Sequence, residues 1–159
     1  MKWIFAALVL SAMTAMAQEA VVDVSLRPAG SFKGKTSEVK GVATVKGDKV
    51  EASNISVNLK SLTTGISLRD EHTKKRLETE KYPEALLISA TGQGGKGEGL
   101  IRIHGIEKKV SGTYKIDGSN LSAEFPIKFS DFNIKDIKYM GVGVDDNGMI
   151  HVKVPVKKN

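Results

Sequence analysis

The chain has 159 residues, carries a formal net charge of +6 and contains no cysteine. That length is enough for one domain with its own core, and the missing cysteines exclude disulfides, thiol catalysis and Cys-ligated metals. The basic balance favours anionic partners such as lipid phosphates, membrane surfaces or acidic polymers, while scattered lysines and an aromatic content of 6% leave no stacking platform for nucleic acid.

The N-terminus reads apart from the fold. Lys2 supplies a positive flank, Trp3 to Met13 an apolar run, and Ala15-Met16-Ala17 a small-residue cleavage signature. With this flank the run is too short for a spanning helix, so residues 1–17 are expected to be a secretory signal cut before Gln18. No cysteine follows the run, which sets aside a lipoprotein signal. Loss of Lys2 leaves residues 18–159, a single domain, at +5. The product is expected in the periplasm or outside the cell.

From there strand signals dominate. Val22, Val24 and Leu26 alternate with Asp23 and Ser25, and Ile55, Val57 and Leu59 alternate with Ser56 and Asn58. Ser61 to Pro83 breaks the pattern and predicts one short helix near residues 66–77, framed by Gly65 and Pro83. Ser67 with Asp70 fits a helix start, and Asp70 and Glu71 precede Lys74, Lys75 and Arg76 in the order the helix dipole favours. Asp70–Lys74 and Glu71–Lys75 are favourable i,i+4 pairs. The apolar stripe is thin, Leu68 and Leu77, so this helix must lean on a sheet. Thr63-Thr64-Gly65 is read as its cap.

Strands resume with Leu86, Ile88 and Ala90 on one face. Gly92 to Gly99 reads as a flexible link, and Gly105 as a turn or bulge with Lys108 and Lys109 on the outside. Leu121, Ala123, Phe125, Ile127 and Phe129 alternate with polar residues. Ile150, Val152, Val154 and Val156 do the same. Gly47-Asp48, Asp117-Gly118 and Asn147-Gly148 read as hairpin turns, and Pro126 and Pro155 belong at an edge, bulge or unbonded position. Strands at short spacing from end to end predict an all-β chain folded as one closed antiparallel β-barrel of about eight strands. Its inward residues would include Val57, Leu59, Ile88, Tyr114, Ile116, Phe125, Ile127, Phe129, Val152 and Val154. Such a barrel can be filled by side chains or hold one ligand, and the pattern leaves both open. Missing aromatic girdles and the Lys157-Lys158-Asn159 end argue against a membrane-spanning barrel.

Catalytic chemistry finds little support. His72, His104 and His151 share no metal-ligand spacing, Ser67 has no nucleophile-elbow context, and Asp145-Asp146-Asn147-Gly148 lacks the spacing of a calcium loop and reads as a turn. No enzyme activity, metal or cofactor is expected. Arg69 and His72 lie three apart on one helix face. Two readings stay open: they face a ligand headgroup at the barrel mouth, or they belong to a solvated face.

Four segments carry a family resemblance. They are Ser61-Leu62-Thr63-Thr64-Gly65-Ile66-Ser67-Leu68-Arg69-Asp70-x-His72 with Lys81-Tyr82-Pro83-Glu84-Ala85; Gly30-Ser31-Phe32-Lys33-Gly34; Gly99 to Lys108; and Phe129 to Ile134. Taken in chain order they resemble the YceI-like family of secreted, lipocalin-like bacterial proteins that bind polyisoprenoid lipids. The chain departs from the family pattern in lacking the early Trp and His-Ser pair and in carrying Thr73 after the helix histidine. The resemblance implies a lipocalin-like barrel with a long apolar cavity, whose ligand is a polyisoprenoid or isoprenoid-quinone-type lipid. It also places Arg69 and His72 near the headgroup. Membrane-surface contact and a homodimer are compatible with it. The rival is a filled-barrel protein-interaction or stress-protective module without a lipid.

Overall fold

The computed structural model describes residues 18–135, 137–139 and 141–159, without the side chain of Tyr139. The expected signal segment lies outside the described residues. Eleven strands follow in order among these: β1 (Glu19–Arg27), β2 (Ser31–Thr36), β3 (Val39–Lys40), β4 (Ala43–Lys46), β5 (Lys49–Asn58), β6 (Glu84–Gln93), β7 (Lys96–Ile103), β8 (Ile106–Asp117), β9 (Asn120–Lys128), β10 (Lys138–Tyr139) and β11 (Val142–Lys158). Helix α1 (Ser67–Leu77) sits between β5 and β6, and short 3-10 turns follow β5 and β9.

Strands β4 to β9 run as an antiparallel meander, and β11 closes them into a ring by pairing with both β9 and β4. The ring therefore has seven strands, close to the eight or so expected, and its β4–β11 seam is parallel, with Val156 opposite Ala43. Beyond the ring, β1 pairs with β11 and β2 with β1, extending the sheet past the barrel wall. The 17 residues of β11 make this possible. The strand is long enough to serve β1 and β9 along its middle and β4 at its end.

Among the described residues, two-residue turns at Gly47-Asp48, Gly94-Gly95, His104-Gly105 and Gly118-Ser119 close hairpins. His104 and Gly105 both have positive φ, the twist that a tight hairpin needs. The glycines from Gly92 to Gly99 are thus mostly strand rather than link. Gly92 is needed because Tyr114 lies across it: a Cβ there would fall 2.5 Å from Tyr114 Cε1.

The Asn147-Gly148 turn does not form. Both residues lie inside β11 and pair with Lys128 and Ile127 of β9. The local turn chemistry survives as a bulge. Asp145 Oδ1 accepts the Asn147 N–H at 2.9 Å, and the β1 register jumps from Val24↔Gly148 to Leu26↔Val144. Pro126 sits on β9 beyond Glu124, where pairing with β8 has ended, and Pro155 lies where β11 passes from β9 to β4.

Apolar burial gathers in two clusters. One is built on Val39, Ala43, Val50, Leu121 and Val154, the other on Ile101, Ile103, Ile127, Phe132 and Ile134. Leu77 of α1 packs against the second, so the helix does lean on the sheet. Its cap differs from expectation. Ile66 is the N-cap and offers no side-chain bond; Asp70 instead reaches back to the Thr64 N–H at 2.6 Å and hydroxyl at 2.5 Å.

Candidate functional site

Among the described residues, two apolar cavities stand out. The smaller, about 150 Å³, lies within the seven-stranded ring and is lined by Val57, Leu87, Tyr114, Phe125, Val152 and Val154, among others. The larger, about 440 Å³, lies between α1 and the sheet extension. Val22, Val24 and Leu26 of β1, Phe32 and Gly34 of β2, and Val142 and Val144 of β11 form its apolar walls, with Phe129, Ile134 and Ile137 following β9. The family resemblance implied a long cavity inside the barrel; the greater space is outside the ring, under the helix.

The inward residues expected from the sequence scatter accordingly. Val57, Tyr114, Phe125, Val152 and Val154 line the smaller cavity, while Phe129 lines the larger. Ile127 is buried in the second core cluster and Leu59 in the 3-10 turn after β5, and neither lines a cavity. Two more of the expected residues line neither cavity. Ile88 is the extra residue of a bulge, since Leu87 pairs with Ile101 and Ser89 with Leu100. The bulge shifts the parity of β6, so Leu87 takes the inward role. Ile116 has the right face, opposite Leu121, but it lies one step from the β8–β9 hairpin at the barrel rim and is 44% exposed.

The polar groups of the larger cavity come from one wall. Thr64, Arg69, His72, Thr73 and Arg76 belong to α1 or the turn before it, and every other lining residue is apolar. Arg69 and His72 do share a face and do reach this cavity. Arg69 is also structurally engaged. Its Nε donates to Thr64 Oγ1 at 3.2 Å, and its guanidinium lies over the Phe32 ring at 4.4 Å from the centroid. The partner is thus a threonine and an aromatic face, not the neighbouring acid. Asp70 is held below the ordinary carboxylate range chiefly by the Thr64 hydroxyl, with the Thr64 N–H adding to it.

Two polar clamps fix the cavity's frame. Asp146 Oδ1 accepts the Ser130 N–H at 2.7 Å and Oδ2 the Ser130 hydroxyl at 2.5 Å, which fastens the turn bearing Phe129 to β11. These bonds, hydroxyl first, hold the Asp146 carboxyl below its usual range. His104 joins the far end of the helix to the barrel. Its Nδ1 meets the Phe132 carbonyl at 2.8 Å, and its Nε2 is hydrogen-bonded to Glu78, the left-handed residue that ends α1. Tyr82 packs edge-on against the His104 ring at 4.9 Å. Sequence reasoning passed over Phe32, Thr64 and Arg76 as site residues; the alternation of Phe32 and Gly34 in β2 was the available signal.

A YceI-like domain model matches residues 14–156. The chain belongs to this family. Among solved structures, the YceI-like fold here is similar to Burkholderia cenocepacia BcnA, with 19% identity, a TM-score of 0.65 and coverage of 86% of this chain and 96% of that one. It is also similar to a polyisoprenoid binding domain from Saccharophagus degradans, at 12% identity, TM-score 0.58 and coverage of 88% and 93%. The Campylobacter jejuni YCEI protein follows at 18% identity, TM-score 0.51 and coverage of 78% and 84%. No curated protein sequence matches the chain. At these identities the likeness establishes the shared fold of the YceI-like domain.

Proposed function

We propose that this YceI-like protein binds one long apolar ligand of the isoprenoid class, with the chain in the larger cavity and a polar or phosphate-bearing head against α1. The observation that carries the reading is the segregation of that cavity's lining, apolar on the sheet side and polar only on the helix wall. A volume of about 440 Å³ falls within the range of small-molecule sites. The ring cavity, at about 150 Å³, has room for little more than a benzene-sized group and serves as an extension rather than the main container. Each buried CH₂ contributes about 0.8 kcal/mol, so a branched hydrocarbon chain needs few polar contacts.

The Saccharophagus degradans neighbour is described as polyisoprenoid binding, which agrees with this reading. The filled-barrel alternative calls for a solid interior, and the two cavities speak against it. The protein acts as a holder or carrier rather than a catalyst. The N-terminal pattern supports export of a mature protein starting at Gln18 to a bacterial periplasm or outside the cell. The N-terminal mass of the exported product tests that placement; an intact Met1 sinks it.

Ligand binding is tested by native mass spectrometry of protein purified from its own cell envelope, followed by lipid extraction. Titration with a polyprenyl phosphate and a polyprenol of equal length completes the test. The reading expects saturable one-to-one binding of at least one of them. Absence of any bound lipid, with neither titrant binding, overturns it.

A further inference from the structure

The large cavity opens through an apolar rim. Ile66 is 53% exposed, Leu68 50% and Val142 38%, and all three line this cavity. They are three of the five large apolar side chains that stand out among the described residues. A thin amphipathic helix would normally turn such residues inward; here it is Leu77, partly buried near the other end of α1, that packs on the core. Exposed apolar groups clustered at one opening mark an interaction surface.

The charge around the rim selects its partner. Arg69 and Arg76 line the same cavity, and Lys74 and Lys75 belong to the last turn of the same helix. Asp70 and Glu71 also stand on α1, with Asp70 bonded to Thr64, but the helix carries four cationic side chains, Arg69, Lys74, Lys75 and Arg76, against these two acids. The whole chain is basic. A surface that combines apolar side chains with cationic neighbours fits the interface of an anionic bilayer, where the apolar groups enter the acyl boundary and the cations meet lipid phosphates.

We propose that this rim docks on an anionic lipid membrane, with the mouth of the large cavity facing the bilayer. A lipid then passes between bilayer and cavity without its hydrocarbon crossing water. The inference rests on the ligand reading above for the identity of the passenger, but not for the docking itself. No helix among the described residues is long and apolar enough to cross a membrane.

The absence of cysteine allows a direct test. Ile66→Cys and Ile116→Cys are each labelled, in the full chain, with a polarity-sensitive fluorophore. Ile116 is also exposed and apolar, but it stands beside the β8–β9 hairpin, at the other end of β9 from Phe129. Whatever the first 17 residues do is common to both proteins. Vesicles containing about one-third phosphatidylglycerol should blue-shift the label at 66 and leave the label at 116 unchanged. Vesicles of phosphatidylcholine alone should bind at least tenfold more weakly, and Leu68→Ser should lower affinity for the anionic vesicles at least fivefold.

Equal responses at 66 and 116, or none at 66, overturn the proposal. A blue shift at 66 that grows with protein concentration in the absence of vesicles also overturns it, in favour of self-association through this face. Docking by a protein that takes up neither polyprenyl phosphate nor polyprenol supports the membrane contact while the ligand reading falls. Uptake without docking does the reverse.

Discussion

The ring of Phe129 lies directly over Gly148, so close that a Cβ at 148 would fall 2.5 Å from Cζ. The glycine that local rules assign to a turn is instead the floor on which a cavity-lining aromatic rests. Gly148→Ala must push the ring away, and the open side is the large cavity. The variant is expected to lose about 1 kcal/mol, at the low end of overpacking costs because a ring can swing. Its affinity for long-chain lipids should fall as the cavity fills. Urea unfolding and lipid titration measure the two effects, and wild-type values in both show that the contact is not restrictive.

Arg69 offers a sharper test of the headgroup. Arg69→Ala is expected to weaken a pyrophosphate-headed lipid by about 1.5–3 kcal/mol, the range for hydrogen bonds to charged groups. A neutral-headed lipid of equal length should change much less. Salt should weaken the anionic ligand alone, because screening acts on charge and not on burial. Arg69→Lys keeps the charge but loses the fork and the stacking on Phe32, so it should recover only part of the affinity. If Arg69→Ala binds both lipids as the wild type does, the arginine serves only to join Thr64 and Phe32.

Phe125 tests the wall of the smaller cavity. It is half-buried, shares its inward parity with Leu121, Ala123 and Ile127, and packs on the second core cluster. Phe125→Ala should cost about 3 kcal/mol, the lower end for such truncations, because the ring already borders empty space. The space gained should favour longer chains over shorter ones in competition binding. An unchanged unfolding midpoint would place the ring outside the packed interior.

A surface network predicts the acid response. Lys33 Nζ sits 2.8 Å from Asp23 Oδ1, His151 Nε2 2.7 Å from Asp23 Oδ2, and His151 Nδ1 3.3 Å from Glu124 Oε2, across four adjacent strands. The hydrogen bond from Lys33, then that from His151, holds the Asp23 carboxyl below its ordinary 3.8. A depressed carboxyl stabilises the folded state above its unfolded pKa, and that contribution is lost as pH falls through the folded value. Stability from this group should therefore be constant above about pH 5 and decline below about pH 4. The effect is small because the pair is more than a third exposed. Asp23→Asn should flatten that part of the acid profile, followed by denaturant midpoint against pH; identical profiles exclude the network from stability.

Much of the fold was legible locally. Alternation along β9 and the end of β11 placed Phe125, Val152 and Val154 on the inner face, because side chains on a strand change face at every residue. The helix at Ser67–Leu77 was written in its charges and in its break from period two. What failed were places where a local preference met a long-range partner. Asn147-Gly148 has turn chemistry, yet pairing with both β1 and β9 outweighs one turn and converts it to a bulge. Ile88 alternates correctly with its neighbours, but the positive φ of Asn54 on the facing strand and the bulge on β6 shift the parity there.

The cavities belong wholly to tertiary structure. Periodicity can say that Val22, Val24 and Phe32 face an interior; it cannot say how far that interior stands from a helix that begins only at Ser67. Volume is set by how closely β1, β2, β11 and α1 approach, and those distances depend on a pairing between the two ends of the chain. The sequence by itself determined a basic, cysteine-free β-barrel with one helix, since composition and period are properties of neighbouring residues. Only the tertiary structure decided that the larger space lies beneath the helix, and that Arg69 meets Thr64 and Phe32 there, because contacts between remote segments exist only once the sheet has closed.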